Sequence, residues 1–81
     1  MEYKIVNDFT GAELRSGLLS LDAATRIADH MRASATERNT PLLVHPSHII
    51  VVPSDAHWCY NGRKEAWMDA DGDTCRDLSR Q

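Results

Sequence analysis

Asn61-Gly62 lies between two short runs that together hold both tryptophans of the chain, and this arrangement limits the fold more than any other local feature. Asn-Gly supplies the positive φ angles of a type I′ turn, so residues 56–69 read as a tight β-hairpin. A two-residue turn pairs Tyr60 with Arg63, Trp58 with Glu65 and Ala56 with Trp67. Trp58, Tyr60 and Trp67 then share one face, and His57, Cys59, Lys64 and Ala66 share the other. The aromatic face has two uses open to it. It closes the core against a helix, or it stays partly exposed beside Arg63 and Glu65 as an interface rich in hot-spot residue types.

The rest of the chain supplies that helix and the remaining strands. Tyr3 to Asp8 alternates as a first strand, with Tyr3, Ile5 and Phe9 on its apolar side. Asp8-Phe9-Thr10-Gly11 is rich in turn formers, and Ala12 to Leu19 returns as a second strand that Gly17 weakens. Ser20 and Asp22 are both suited to cap a helix start. Leu21, Ala24, Ile27, Ala28, Met31 and Ala35 then recur at helical spacing, which predicts a helix over 21–37 ended by Asn39-Thr40-Pro41. Leu42 to His45 and His48 to Val52 are apolar runs separated by Pro46. Ile49-Ile50-Val51-Val52 is β-branched throughout, as a central strand covered by the helix should be. The expected fold class is α+β: one α-helix packed on a mostly antiparallel sheet, in the order β-β-α-β-β-β. Ile27 and Ile50 are expected in the core.

At 81 residues the chain makes one small domain over 1–81. A chain of this size buries roughly 60–65% of its unfolded surface, which leaves little room for a deep substrate cavity. The net charge of −3 disfavours direct nucleic-acid binding, because Lys and Arg supply that affinity. No run of about 18 apolar residues exists that would span a membrane. The opening Met-Glu-Tyr-Lys-Ile-Val reads as strand, not signal peptide. Cys59 and Cys75 are too few for a secreted disulfide framework, so a cytoplasmic protein with two thiols is expected; a bridge between them stays open.

The residues that could carry chemistry do not form a motif. His45, His48, His57, Cys59 and Cys75 are zinc-ligand types, but no two sit on a paired knuckle, so no metal is expected. Asp69-Ala70-Asp71-Gly72-Asp73 has the flavour of a calcium loop. Counted from Asp69, however, Thr74 and Arg80 occupy the positions that need Gly and a bidentate Glu. His57 and Cys59 share a strand face but lie about 7 Å apart, too far for a nucleophile–base pair. No glycine-rich phosphate loop is present. Neither a cofactor nor a catalytic residue is expected. The small zinc-binding or thiol-active domain remains an alternative reading.

The order of elements and several strings resemble the small phage-encoded anti-CRISPR proteins of type I systems, inhibitors of type I-C or I-F. Ser20-Leu21-Asp22-Ala23-Ala24-Thr25-Arg26-Ile27-Ala28 is similar to the helix opening of one such inhibitor. Trp58-Cys59-Tyr60-Asn61-Gly62-Arg63 matches a Trp-containing hairpin that turns on glycine after apolar strands. The resemblance covers about half of the chain. It implies a non-catalytic inhibitor that binds the CRISPR-Cas type I surveillance complex (Cascade) in the bacterial cytoplasm and blocks target-DNA capture. A phage or bacterial adaptor for another protein is the alternative.

An acidic protein could occupy a Lys- and Arg-rich DNA-binding surface of that complex. The expected partner-binding set combines Tyr60, Arg63 and Trp67 of the hairpin with the acidic loop residues Asp69, Asp71 and Asp73, whose carboxylates should lie at one sheet end near the aromatic stripe. The outer helix face, with Arg26, Asp29 and His30, is the next surface.

Overall fold

Strand β1 (Tyr3–Asn7) is the centre of the molecule, hydrogen-bonded on both sides in a three-stranded antiparallel sheet. Its neighbours are β2 (Glu13–Leu18) and β3 (Ile49–Pro53), in the order β2-β1-β3. The computed structural model describes residues 1–38 and 46–80. Helix α1 (Leu21–Arg38) follows β2, and a turn of 3-10 helix, Pro46–His48, precedes β3. The predicted run Leu42 to His45, with the ligand candidate His45, lies outside the described residues, as does the Ala35 side chain.

Ser20 caps α1. Its Oγ accepts the Ala23 N–H at 3.1 Å, satisfying a first-turn donor that has no intrahelical partner, and its carbonyl accepts the first helical bond, from the Ala24 N–H, at 3.0 Å. Asp22 instead pairs with Arg26 at 3.2 Å on the exposed face. Ala24 and Ala28 are fully buried, so the helix backbone lies close to the sheet. They pack with Ile5, Leu18, Ile49 and Val51, and Ile27 and Met31 fill the margins.

Two more strands, β4 (His57–Tyr60) and β5 (Glu65–Met68), form the hairpin. The element order is β-β-α-β-β-β, and the fold is α+β with one helix on an antiparallel sheet. One detail departs from the expectation. The hairpin does not extend the main sheet but forms a separate two-stranded sheet on the face opposite the helix. Val6, Ile50, Val52, Ala56 and Trp67 make this second core, flanked by Trp58 and Cys75. The reason lies in β3, which is apolar on both faces, with Val6 of β1 beside it: a helix covers one face, and the other needs its own cover. Phe9 is not on the first strand's buried side. It lies in the turn after β1 and is 72% exposed.

The hairpin register also differs from a two-residue turn. Tyr60 pairs with Glu65, Cys59 with Ala66, Trp58 with Trp67 and His57 with Met68. Asn61 supplies the reason. Its side-chain oxygen accepts the N–H groups of Arg63 and Lys64, at 3.1 and 3.2 Å, so residues 61–64 all belong to the loop. Gly62, at φ +96°, takes the left-handed step within it. The slip is two residues, so each side chain keeps its predicted face while changing its partner. Trp58 now opposes Trp67, edge to face, with ring centroids 5.7 Å apart.

Gly11 fixes where the hairpin meets the main sheet. It holds φ +80°, and a Cβ there would stand 2.6 Å from the Trp58 indole. Only glycine allows both that backbone angle and that approach.

Candidate functional site

The acidic loop that follows β5 is built by one of its own carboxylates. Asp69 Oδ1 accepts the N–H of Asp71 at 2.9 Å and of Asp73 at 3.0 Å. Its backbone N–H donates to the Asp73 carbonyl at 2.8 Å, and Gly72 takes φ +85°. Asp69 is thus turned inward to shape the loop, while Asp71 and Asp73 are exposed. Pro53, where β3 ends, lines one pocket with Asp69 and Cys75, so the β3–β4 turn that holds Asp55 lies beside the loop. The Glu2 carbonyl binds the N–H of Ser54 in that same turn. Asp55 therefore joins the loop at one end of the molecule, where Arg76 also lies beside Asp69. Sequence reasoning missed Asp55 because it is distant along the chain.

Tyr60 and Arg63 lie at the other end of the hairpin. The β4–β5 register sets His57 beside Met68, next to the acidic loop, whereas Tyr60 and Arg63 are at the tip. The length of β4 separates the two groups by about 13 Å. The predicted six-residue surface is therefore split between two ends. Tyr60 is 67% exposed, but Trp67 is only 4% exposed. Its Nε1–H donates to the Asn7 carbonyl at 3.0 Å, so it is a core residue in this fold and offers no surface anchor. The exposed aromatics near the tip are Tyr60 and Phe9. A groove of about 500 Å³ opens there between the β1–β2 turn and the hairpin, lined by Asp8, Phe9, Thr10, Trp58, Lys64 and Glu65. Trp58 Nε1–H donates to the Glu65 carboxylate. His48 Nδ1 is 2.9 Å from Asp8 Oδ1, and its ring stacks on Phe9 with centroids 5.2 Å apart.

Two shielded cations, one buried and one partly buried, escaped sequence reasoning because each depends on partners far away in the chain. Lys4 is only 6% exposed. Its Nζ donates to Glu13 Oε1 at 2.6 Å and to the Ala56 carbonyl at 2.7 Å, and lies 4.6 Å from the centre of the Trp67 ring. Arg32 leaves the helix to bind the outer edge of β3. It donates to the Ile49 carbonyl through Nε and Nη2, to Asp77 at 3.1 Å and to Ser79 Oγ at 2.8 Å. Asp77 Oδ1 accepts the next outward N–H of that edge, from Val51, at 3.1 Å.

The two cysteines are free thiols. Cys59 is on β4, and the Cys75 N–H donates to the Trp67 carbonyl, so Cys75 lies beyond the far edge of β5. Two strand spacings, about 10 Å, separate their backbones, too far for a disulfide. Burial pushes the Cys75 thiol above its ordinary value of 9.0. The carboxylates of Asp69 and Asp55 push the same way, and the Lys4 ammonium offsets part of it. Only the thiolate is nucleophilic, so Cys75 should alkylate slowly at neutral pH and its rate should still be climbing above pH 9.0. Iodoacetamide labelling followed by peptide mass spectrometry measures this. A plateau below that pH would contradict the assigned environment.

Among the described residues, no three His, Cys, Asp or Glu side chains converge as a metal-holding group. No described helix is long and apolar enough to cross a membrane. No family model, no curated protein and no solved structure matches this chain.

Proposed function

We propose that this domain is a non-catalytic protein-binding inhibitor that occupies a basic, DNA-accepting surface of a CRISPR-Cas type I surveillance complex. The observation that carries this reading is the acidic end. Asp71 and Asp73 are exposed on a loop that Asp69 holds in shape, and Asp55 lies on the neighbouring turn. Fixed carboxylates of this kind steer a basic partner and compete with DNA phosphates for the same Lys and Arg groups. The partner class comes from the resemblance of the helix opening and the Trp58–Arg63 hairpin to type I anti-CRISPR proteins. A second reading, an adaptor for another protein, draws on a different observation: the groove lined by exposed Phe9 and by Trp58.

Co-purification with type I surveillance complexes, followed by a target-DNA gel shift, tests the first reading. Replacing Asp69, Asp71 and Asp73 together with Asn should leave folding nearly unchanged. An amide at position 69 would keep a side-chain oxygen for the N–H groups of residues 71 and 73, and exposed charges contribute little to stability. The same variant should bind the complex more slowly, with a weaker dependence on salt, and should restore DNA capture. A folded triple variant that blocks capture at full strength would remove the acidic end from the mechanism. Failure of the native protein to bind any type I complex would remove the inhibitor reading.

A further inference from the structure

Among the described residues, the two sheets have four outer edges, and three of them are closed or guarded. The β3 edge is capped by Arg32 at the Ile49 carbonyl and by Asp77 at the Val51 N–H. The outer edge of β5 is covered by chain: Cys75 donates to the Trp67 carbonyl, Asp69 to the Asp73 carbonyl, and Met68 bridges Thr74. The β2 edge carries Glu13 and Arg15, and its register is broken at two places, one of them beside Gly17 at φ +71°. Charges and irregularities of this kind prevent strand addition.

Among the described residues, the β4 edge has none of these devices. Its sequence, His57-Trp58-Cys59-Tyr60, contains no proline, no bulge and no Lys, Arg, Asp or Glu. The direction of its backbone groups follows from β5. The Trp67 carbonyl points away from β4, toward Cys75, so Ala66 and Met68 are the residues that bond to β4. Their partners Cys59 and His57 therefore face β5, and the N–H and C=O of Trp58 and Tyr60 point out from the edge. Neither residue's backbone bonds to another described residue outside the hairpin.

We infer that β4 is a self-association edge, and that its occupant is β4 of a second copy, running antiparallel across a twofold axis at Cys59. One register uses every outward group of the strand. Trp58 exchanges both hydrogen bonds with Tyr60 of the second copy, and Tyr60 does the same with its Trp58. The alternatives need Gly62 in the turn, or the Ala56 backbone, whose N–H and carbonyl are already bonded to Pro53 and Lys4. The chosen register places each aromatic opposite an aromatic on one face and no like charges opposite each other. It also makes Cys59 its own partner, as a non-hydrogen-bonded pair with Cα atoms about 4.5 Å apart, within disulfide range. With one four-residue strand per copy, the association is weak and concentration-dependent.

The test uses the purified protein alone, so its outcome is independent of any surveillance complex. Sedimentation equilibrium over a concentration series should show a monomer–dimer equilibrium. Oxidised glutathione should then trap the dimer, two Cys59 thiols giving one disulfide while the oxidant is reduced to two glutathione molecules. Peptide mapping should find Cys59 joined to Cys59. Tyr60→Lys puts a charge at an exposed strand position, so the variant should fold normally. It should weaken dimerisation about tenfold and slow the Cys59 crosslink to match. A chain that stays monomeric up to about 1 mM overturns the inference, as does a dimer whose affinity Tyr60→Lys leaves unchanged.

Discussion

Replacing Asp77 with Ala should lower the unfolding free energy by about 3 kcal/mol, because the change strips one carboxylate from several partners at once. Asp77 Oδ1 accepts from the Val51 N–H, the Ser79 N–H and Ser79 Oγ, while Oδ2 pairs with Arg32 and Arg80. The Asp77 and Arg32 side chains are 12% and 13% exposed, so solvent replaces little of what is lost. Arg32 would retain the Ile49 carbonyl, Ser79 and the exposed Asp29, but not its shielded counter-charge. A domain of this size has a total stability of about 4–12 kcal/mol, so the loss is a large share of it. Asp77→Asn keeps an oxygen for the Val51 N–H and should cost less, the difference isolating the ion pair. Urea unfolding measures both, with the midpoint shifting and the slope nearly constant. A loss under about 1 kcal/mol for the Ala variant would mean that water serves the β3 edge as well as Asp77 does.

Trp67→Ala should be more damaging still, at about 3–5 kcal/mol. Trp67 is the largest side chain of the second core, between the hairpin and Val6, Ile50 and Val52. Its removal also takes a donor from the Asn7 carbonyl and an aromatic face from the buried Lys4. Trp67→Phe is the control: it keeps much of the apolar area and the ring near Lys4, and loses the indole N–H. Its cost should be about 1–2 kcal/mol. Thermal unfolding followed by circular dichroism separates the two. If both variants melt alike within error, Trp67 contributes a hydrogen bond and little packing, and the hairpin is not the second layer of the core. Trp58→Phe is a useful reference, since Trp58 is only partly buried and borders the groove.

Helix α1, the β-branched strand β3 and the position of the Asn61-Gly62 turn were legible in the residues, because each rests on local causes. Ser20 offers a cap within reach of the next turn, and Ala24, Ile27, Ala28 and Met31 recur at the helix period. Ile49 to Val52 has no geometry better than a buried strand. Even the faces of the hairpin were legible, since a two-residue slip preserves a period of two.

What only the tertiary structure decided depends on groups far apart in sequence. A continuous apolar β3 could not say that a helix would cover one face and a separate hairpin the other. Trp67 reads as an aromatic on a stripe; only the position of the Asn7 carbonyl makes it core. Asp69, Asp71 and Asp73 were visible as an acidic loop, but Asp55 joins them through the fold, and the β4–β5 register carries Tyr60 and Arg63 to the opposite end. Nothing local in the sequence marks Lys4 and Arg32, yet Lys4 is buried and Arg32 shielded because Glu13, the Ala56 carbonyl, Asp77 and Ser79 converge on them from other elements. Period and propensity act over a few residues, whereas burial and charge pairing are set by whatever the folded chain brings within a few ångströms.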